Sequence, residues 1–124
     1  MTNTINASLF QEMIQAASTR LNNQAEYVNS LNVFPVPDGD TGTNMGMTIT
    51  NGAKAVSDNT GETVGQVAAI LSKGLLMGAR GNSGVILSQI FRGFGQAIKD
   101  EDVFTAENLA KAFQNGVEVA YKAV

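Results

Sequence analysis

Residues 34–45 read Phe34-Pro35-Val36-Pro37-Asp38-Gly39-Asp40-Thr41-Gly42-Thr43-Asn44-Met45, and they separate two runs of helical period. Pro35 and Pro37 fix their own φ near about −65° and lack N–H donors, while Gly39 and Gly42 tolerate positive φ. The segment therefore reads as a rigid loop and not as a helix interior. It holds Asp38 and Asp40 close together, directly before a run of hydroxyl and amide groups. Two carboxylates that close repel, and no basic residue falls between Arg20 and Lys54 to pair with them. A bound cation is the simplest counter-charge.

Upstream of the loop, Leu9, Phe10, Met13, Ile14, Ala17, Leu21, Ala25 and Val28 recur at spacings of three and four. This predicts one helix from Ser8 to about Ser30, opened by a capping box of Ser8 and Gln11. Downstream, Met45, Ile49 and Ala53 step by four, which predicts a helix from Thr41 to about Val56, broken by Ser57-Asp58-Asn59-Thr60-Gly61. Asp38 and Asp40 then stand just before a helix N-terminus. Thr63 and Gln66 form a second capping box ahead of Val67, Ile70, Leu71, Leu75 and Leu76. A glycine-rich link, Gly78-Ala79-Arg80-Gly81-Asn82-Ser83-Gly84, leads into a fourth helix carrying Val85, Ile86, Gln89, Ile90, Phe94 and Ile98. After Lys99-Asp100-Glu101-Asp102, Thr105 caps a fifth helix through Leu109, Ala112, Phe113, Val117, Ala120 and Tyr121. The expected fold is all-α, an antiparallel helical barrel or bundle of about five helices in one domain over residues 1–124, with no strand. The fifth helix meets no stop signal before Val124, so the domain reads as cut short at its C-terminus.

Composition narrows the chemistry. The chain carries a net charge of −3 and its eight basic residues are scattered along it, which gives no footprint for nucleic acid or an anionic membrane. Without cysteine or histidine it has no disulfide, thiolate nucleophile, imidazole base or soft-metal ligand set. Only oxygen ligands remain. No basic region followed by an apolar run opens the chain, and nothing approaches about 18 consecutive apolar residues, so neither a signal peptide nor a membrane span is expected and the location expected is cytoplasmic. Asn6-Ala7-Ser8 matches a glycosylation sequon that this setting makes a chance match.

Thirteen glycines are many for a helical chain, since each in a helix interior costs roughly 1 kcal/mol relative to alanine. At Gly46, Gly52, Gly74, Gly93 and Gly116 the expected offset is close helix-to-helix approach. At Gly39, Gly42, Gly81 and Gly84, which sit with polar residues at helix starts, the expected offset is backbone approach to a phosphate. Met45, Met47 and Met77 read as core fillers, and Arg80 as a solvated or carboxylate-paired residue.

Familiar templates fail at the first loop. No glycine is followed by the Lys-Ser/Thr pair of a P-loop, since Ser72-Lys73-Gly74 has the wrong order. An EF-hand starting at Asp38 would place Gly42 and Thr43 at its fifth and sixth positions and Ile49 where its bidentate glutamate belongs. A phospho-aspartyl signature needs its first Asp at the end of a buried strand, and two prolines interrupt that run. A magnesium site survives, because this ion is held by one or two carboxylates together with nucleotide phosphates. N–H groups of Thr41 to Asn44 at a helix start, with the side chains of Thr43 and Asn44, would meet phosphate oxygens, and Asn82 and Ser83 open a second such helix. The combination points to phosphoryl transfer, which relies on positioning and charge neutralisation and needs no histidine. A plain structural reading stays open beside it: Asp38 as a helix cap or Asx-turn, and Asn82 or Ser83 as an N-cap.

Asn32-Val33-Phe34-Pro35-Val36-Pro37-Asp38-Gly39-Asp40-Thr41-Gly42-Thr43-Asn44-Met45, followed by Gly78-Ala79-Arg80-Gly81-Asn82-Ser83-Gly84-Val85-Ile86-Leu87-Ser88-Gln89, resembles the N-terminal kinase domain of the bacterial fatty acid kinase (FakA) family. That domain is similar to the nucleotide-binding subunit of dihydroxyacetone kinase. The resemblance implies an antiparallel barrel of about eight helices, of which this chain would hold part, with ATP or ADP and two magnesium ions at one end. It implies Asp38, Asp40 and Thr43 as catalytic residues, and Asp38, Asp40 and the weaker, neutral Asn32 as metal ligands. Thr41, Gly42, Thr43, Asn44, Asn82, Ser83 and Gly84 would bind nucleotide. It implies a separate fatty-acid-binding partner of the FakB type, whose bound carboxylate becomes an acyl phosphate, and it is compatible with a homodimer of the full-length protein. The resemblance also implies departures: the dihydroxyacetone kinase branch has a third metal-binding aspartate a few residues before the pair, where only Asn32 is available here, and histidine where Thr41 stands, and both differences favour the fatty acid kinase branch. A dihydroxyacetone-type kinase and a nucleotide-binding regulatory domain without turnover are the alternatives.

Overall fold

The computed structural model describes residues 3–33 and 37–123, so Phe34, Pro35 and Val36, including the first of the two loop prolines, lie outside the described residues. Six helices occupy the rest: α1 (Ala7–Asn23), α2 (Ala25–Ser30), α3 (Thr41–Asp58), α4 (Val64–Met77), α5 (Gly81–Ala97) and α6 (Ala106–Ala123). Among the described residues the extended pairing is a single isolated bridge, Ile5 with Phe104. The all-α bundle expected from the periodicity is what forms.

One helix differs. The continuous run predicted from Ser8 to Ser30 breaks at Gln24, whose φ of −103° and ψ of 6° leave the helical region. Its N–H is shared between the carbonyls of Arg20 and Leu21 at 3.1 and 3.2 Å, the tightening that ends a helix. The apolar spacing runs through this break unchanged. The start also moves, because the Asn6 side chain accepts from the Leu9 N–H at 2.9 Å and caps α1 in place of Ser8. At α4 the box is half formed: Thr63 accepts from the Gln66 N–H, while Gln66 Oε1 accepts from the N–H of Glu62. Thr105 caps α6 in a complete exchange with Asn108.

Glycine lets these helices touch. A Cβ at Gly52 would lie 2.6 Å from a Leu75 methyl carbon, one at Gly74 2.7 Å from the Ala55 Cβ, and one at Gly116 2.6 Å from the Ile90 carbonyl oxygen. Gly93 lies against Asn115 in turn, so the residue pairs descend in one helix as they rise in the other, and α3 with α4 and α5 with α6 are antiparallel neighbours. Between the layers lie Val64, Val67, Leu71, Leu75, Ile98 and an aromatic group in which Phe10 and Phe94 both meet Phe104 edge-on, with centroids 4.8 and 5.6 Å apart. Met47 and Met77, expected as core fillers, are 48 % and 76 % exposed, because each falls on the outward side of its helix.

Helices α3 and α5 run side by side in the same direction. Gly65 packs on Ile98 and Lys99 and Gly95 on Ala68, so α4 is antiparallel to α5 as it is to α3, which leaves α3 and α5 pointing the same way; Gly81 lies on Asn44 and Gly84 on Thr48 between them. Their N-termini therefore share one end of the bundle.

Candidate functional site

Two turns meet at that end. Gly39, with φ of 65°, and Gly81, with φ of 66°, are the described residues in the left-handed region, where side chains other than glycine are disfavoured. Gly39 sits between the two aspartates. Asp40 becomes the N-cap residue of α3, yet its side chain makes no cap bond, and Asp38 stands two residues further out. Both are exposed. Neither takes part in an ion pair; among the described residues that contact is Lys111 with Glu107 at 3.3 Å, on α6. The structure thus leaves the carboxylates without a cationic side chain, as the sequence implied, and removes the reading of Asp38 as the helix cap. What favours them locally is the partial positive charge at the N-terminus of an 18-residue helix.

The loop is held from behind by amides. Asn32 Oδ1 accepts from the Asp40 N–H at 3.2 Å. Asn29 grips Thr43 twice, its Oδ1 accepting from the Thr43 N–H at 3.0 Å and its Nδ2 donating to Thr43 Oγ1 at 2.9 Å. The Asn44 N–H is engaged as well, donating to the Asp40 carbonyl at 2.9 Å as the first helical bond of α3. Of the four N–H groups that sequence reasoning aimed at phosphate, those of Thr43 and Asn44 already have partners. Thr41 and Gly42 open the first turn, where an N–H has no partner within its own helix.

Gly42 has a packing role that its place in the loop did not announce. A Cβ there would run into the carbonyl oxygen of Ala25, so this glycine lets α2 lie against the first turn of α3. Gly84 likewise faces Thr48 Oγ1, and a side chain there would collide with it. Both are packing glycines in the structure.

The second loop joins the first through Thr48. This fully buried hydroxyl donates to the Asn44 carbonyl at 2.7 Å and accepts the Arg80 N–H at 3.1 Å, tying the turn before α5 to the first turns of α3. Ser83 Oγ reaches the Thr41 carbonyl at 3.4 Å, and the Asn44 amide lies beneath Gly81. Arg80 is the N-cap residue of α5 and makes no side-chain cap bond, which places Asn82 and Ser83 inside the first turn and not at the cap. Asn82 is exposed there.

The structure therefore brings Thr41, Gly42, Thr43, Asn44, Asn82, Ser83 and Gly84 to one end, with Asp38 and Asp40 at its edge. Sequence reasoning missed Asn29 and Thr48. Each was visible only as a polar residue within a helical run; a threonine four residues beyond Asn44 and an asparagine on the helix before the loop were the available signals.

The donor set is oxygen throughout, which fits magnesium, and among the described residues no group of three or more acidic, histidine or cysteine side chains assembles. A magnesium ion here would take Asp38 and Asp40 and complete its shell from water and phosphate. The face is open. A groove of about 380 Å³ between α4 and α5, walled by Lys73, Arg92 and Lys99, and one of about 460 Å³ that includes Lys54 and Asp58, share no lining residue with it. No described helix is long and apolar enough to cross a membrane.

The DAK2 domain family model matches residues 35–124, from the loop through the last helix. The chain is 56 % identical over its whole length to an uncharacterized protein of Staphylococcus haemolyticus, and 55 % identical to uncharacterized proteins of Staphylococcus epidermidis and Staphylococcus aureus. It spans 22 % to 23 % of the length of those relatives. The match across most of the chain places it in the DAK2 domain family, a kinase family of the dihydroxyacetone kinase type.

Proposed function

We propose that this chain is an ATP-binding phosphotransferase domain and that the complete protein transfers the γ-phosphoryl group of ATP to the carboxylate of a fatty acid held by a FakB-like partner, giving an acyl phosphate. The observation that carries the nucleotide reading is the parallel packing of α3 and α5, which sets two helix N-termini side by side with Asp38 and Asp40 at the rim. Two adjacent N-termini favour a chain of phosphates. Bound magnesium would neutralise the phosphate oxygens and the charge that develops during transfer. Asp38 and Asp40 would hold it, the first-turn N–H groups of Thr41 and Gly42 would meet phosphate from one side, and Asn82 and Ser83 would meet it from the other. The acceptor reading rests on the resemblance, within which Thr41 and Asn32 depart from the dihydroxyacetone kinase branch, and the lack of histidine in this chain is no obstacle to it. An ionised carboxylate has no proton to lose, so no general base is required.

The DAK2 match also favours a second reading, a dihydroxyacetone-type kinase. ATP consumption by the complete protein separates the two. Turnover with the acid-loaded carrier and none with dihydroxyacetone is the expected result; the reverse would select the sugar-type activity. Tight nucleotide binding with no transfer to either acceptor would instead favour a regulatory domain.

A further inference from the structure

Four threonines lie on α3, and two of them dispose of their hydroxyl protons in the way usual within a helix. Thr48 Oγ1 donates to the Asn44 carbonyl at 2.7 Å and Thr50 Oγ1 to the Gly46 carbonyl at 2.8 Å, each four residues back. Thr43 does not. Its oxygen instead receives the Asn29 Nδ2 proton at 2.9 Å, and its hydroxyl has no acceptor among the described residues. The orientation of the Asn29 amide is set by chemistry, because the Thr43 N–H at 3.0 Å can only face the amide oxygen. The nitrogen must then face the hydroxyl, and a nitrogen with two N–H groups can only donate. The Thr43 proton is left to point away from α2.

We propose that Asn29 is a positioning residue that makes the Thr43 hydroxyl a directed donor to an anionic phosphate oxygen bound beside Asp38 and Asp40. Gly42 makes this contact possible, since it admits the Ala25 carbonyl and so brings α2 within reach of Thr43. The inference rests on the nucleotide reading above and adds a residue that it did not contain.

A matched pair on neighbouring helices supplies the control. Asn22 Nδ2 donates to Thr50 Oγ1 at 2.9 Å, seven residues from Asn29 and Thr43 respectively, but Thr50 already spends its proton on its own helix. Calorimetry with ADP and magnesium on the full chain tests the difference. Asn29→Ala and Thr43→Val should each weaken binding about tenfold, and the double variant no more than Thr43→Val alone, because both remove the same directed donor. Asn22→Ala should bind as the wild type does. If Asn29→Ala fails to melt cooperatively, Asn29→Asp keeps the bond from the Thr43 N–H while turning the hydroxyl toward its own carboxylate. Adding Thr43→Val to Asn29→Asp should then cost nothing further, a comparison in which the added charge cancels. Additive losses in either background, unchanged binding by a folded Asn29→Ala, or an equal loss in Asn22→Ala would overturn the inference. Failure of the wild type to bind magnesium and ADP would instead remove the nucleotide reading on which it stands.

Discussion

The loop before α3 and the loop before α5 both turn on a left-handed glycine, with φ of 65° at Gly39 and 66° at Gly81, and both deliver a helix whose N-cap side chain makes no bond. They differ in charge and in what holds them. The first carries Asp38 and Asp40 in solvent and is gripped by the amides of Asn29 and Asn32; the second has no carboxylate and is anchored through its backbone to the buried Thr48 hydroxyl. The difference separates tasks that the sequence made look alike. One turn presents charge at a rim, while the other is fixed to the core so that its helix start stays in register with α3.

The largest effect should come from the carboxylates. Asp38→Ala or Asp40→Ala should lower magnesium-dependent ADP affinity by about a hundredfold or more, since each removes an anionic ligand from a site with no substitute nearby, and should shift stability by no more than about 1 kcal/mol, because both side chains are exposed and make no cap bond. Parallel titration and melting experiments check both halves. If the first turn instead depends on its aspartates for folding, both variants will melt early.

Next in size are the contacts that place the two turns. Gly42→Ala forces a Cβ into the Ala25 carbonyl and should destabilise the domain by about 2 kcal/mol in urea unfolding, the usual scale of overpacking. Thr48→Val keeps the shape but strands the Arg80 N–H, which should cost about 1–3 kcal/mol and loosen the second turn more than the first. Amide exchange at Gly81 to Gly84 compared with Thr41 to Asn44 reads that asymmetry. Equal loosening of both turns would break the distinction drawn between them. Gly81→Ala follows at about 1–2 kcal/mol, from the left-handed backbone alone, with the Asn44 amide displaced in addition. Smallest of all is Lys111→Ala, which removes an exposed pair whose side chains are 72 % and 81 % accessible and should change stability by no more than about 0.5 kcal/mol.

Much of the fold was legible because helical period is a local property. Met45, Ile49 and Ala53 fixed α3, and the glycines that let helices approach, such as Gly52 and Gly74, were readable as small residues on apolar faces. The break at Gln24 was not, because Leu21, Ala25 and Val28 keep their spacing while the backbone bends to lay α2 on α3. The candidate site divided in the same way. Asp38, Asp40 and the two turns announced themselves by charge and by glycine, but the roles of Gly42 and Gly84 depended on what lies opposite each, namely Ala25 and Thr48. Asn29 reaches Thr43 only after the chain has folded back, and no spacing rule links residues 14 apart across a loop.

A single nucleotide site built from the two helix starts is tested most directly by an amide titration of the chain in nuclear magnetic resonance, adding ADP with and without magnesium. Residues 38–44 and 80–84 should shift together, the shifts should require magnesium, and Asp38→Ala should abolish them in both turns. Shifts that persist without magnesium, or that fall on one turn while the other stays still, would contradict a single site shared by α3 and α5.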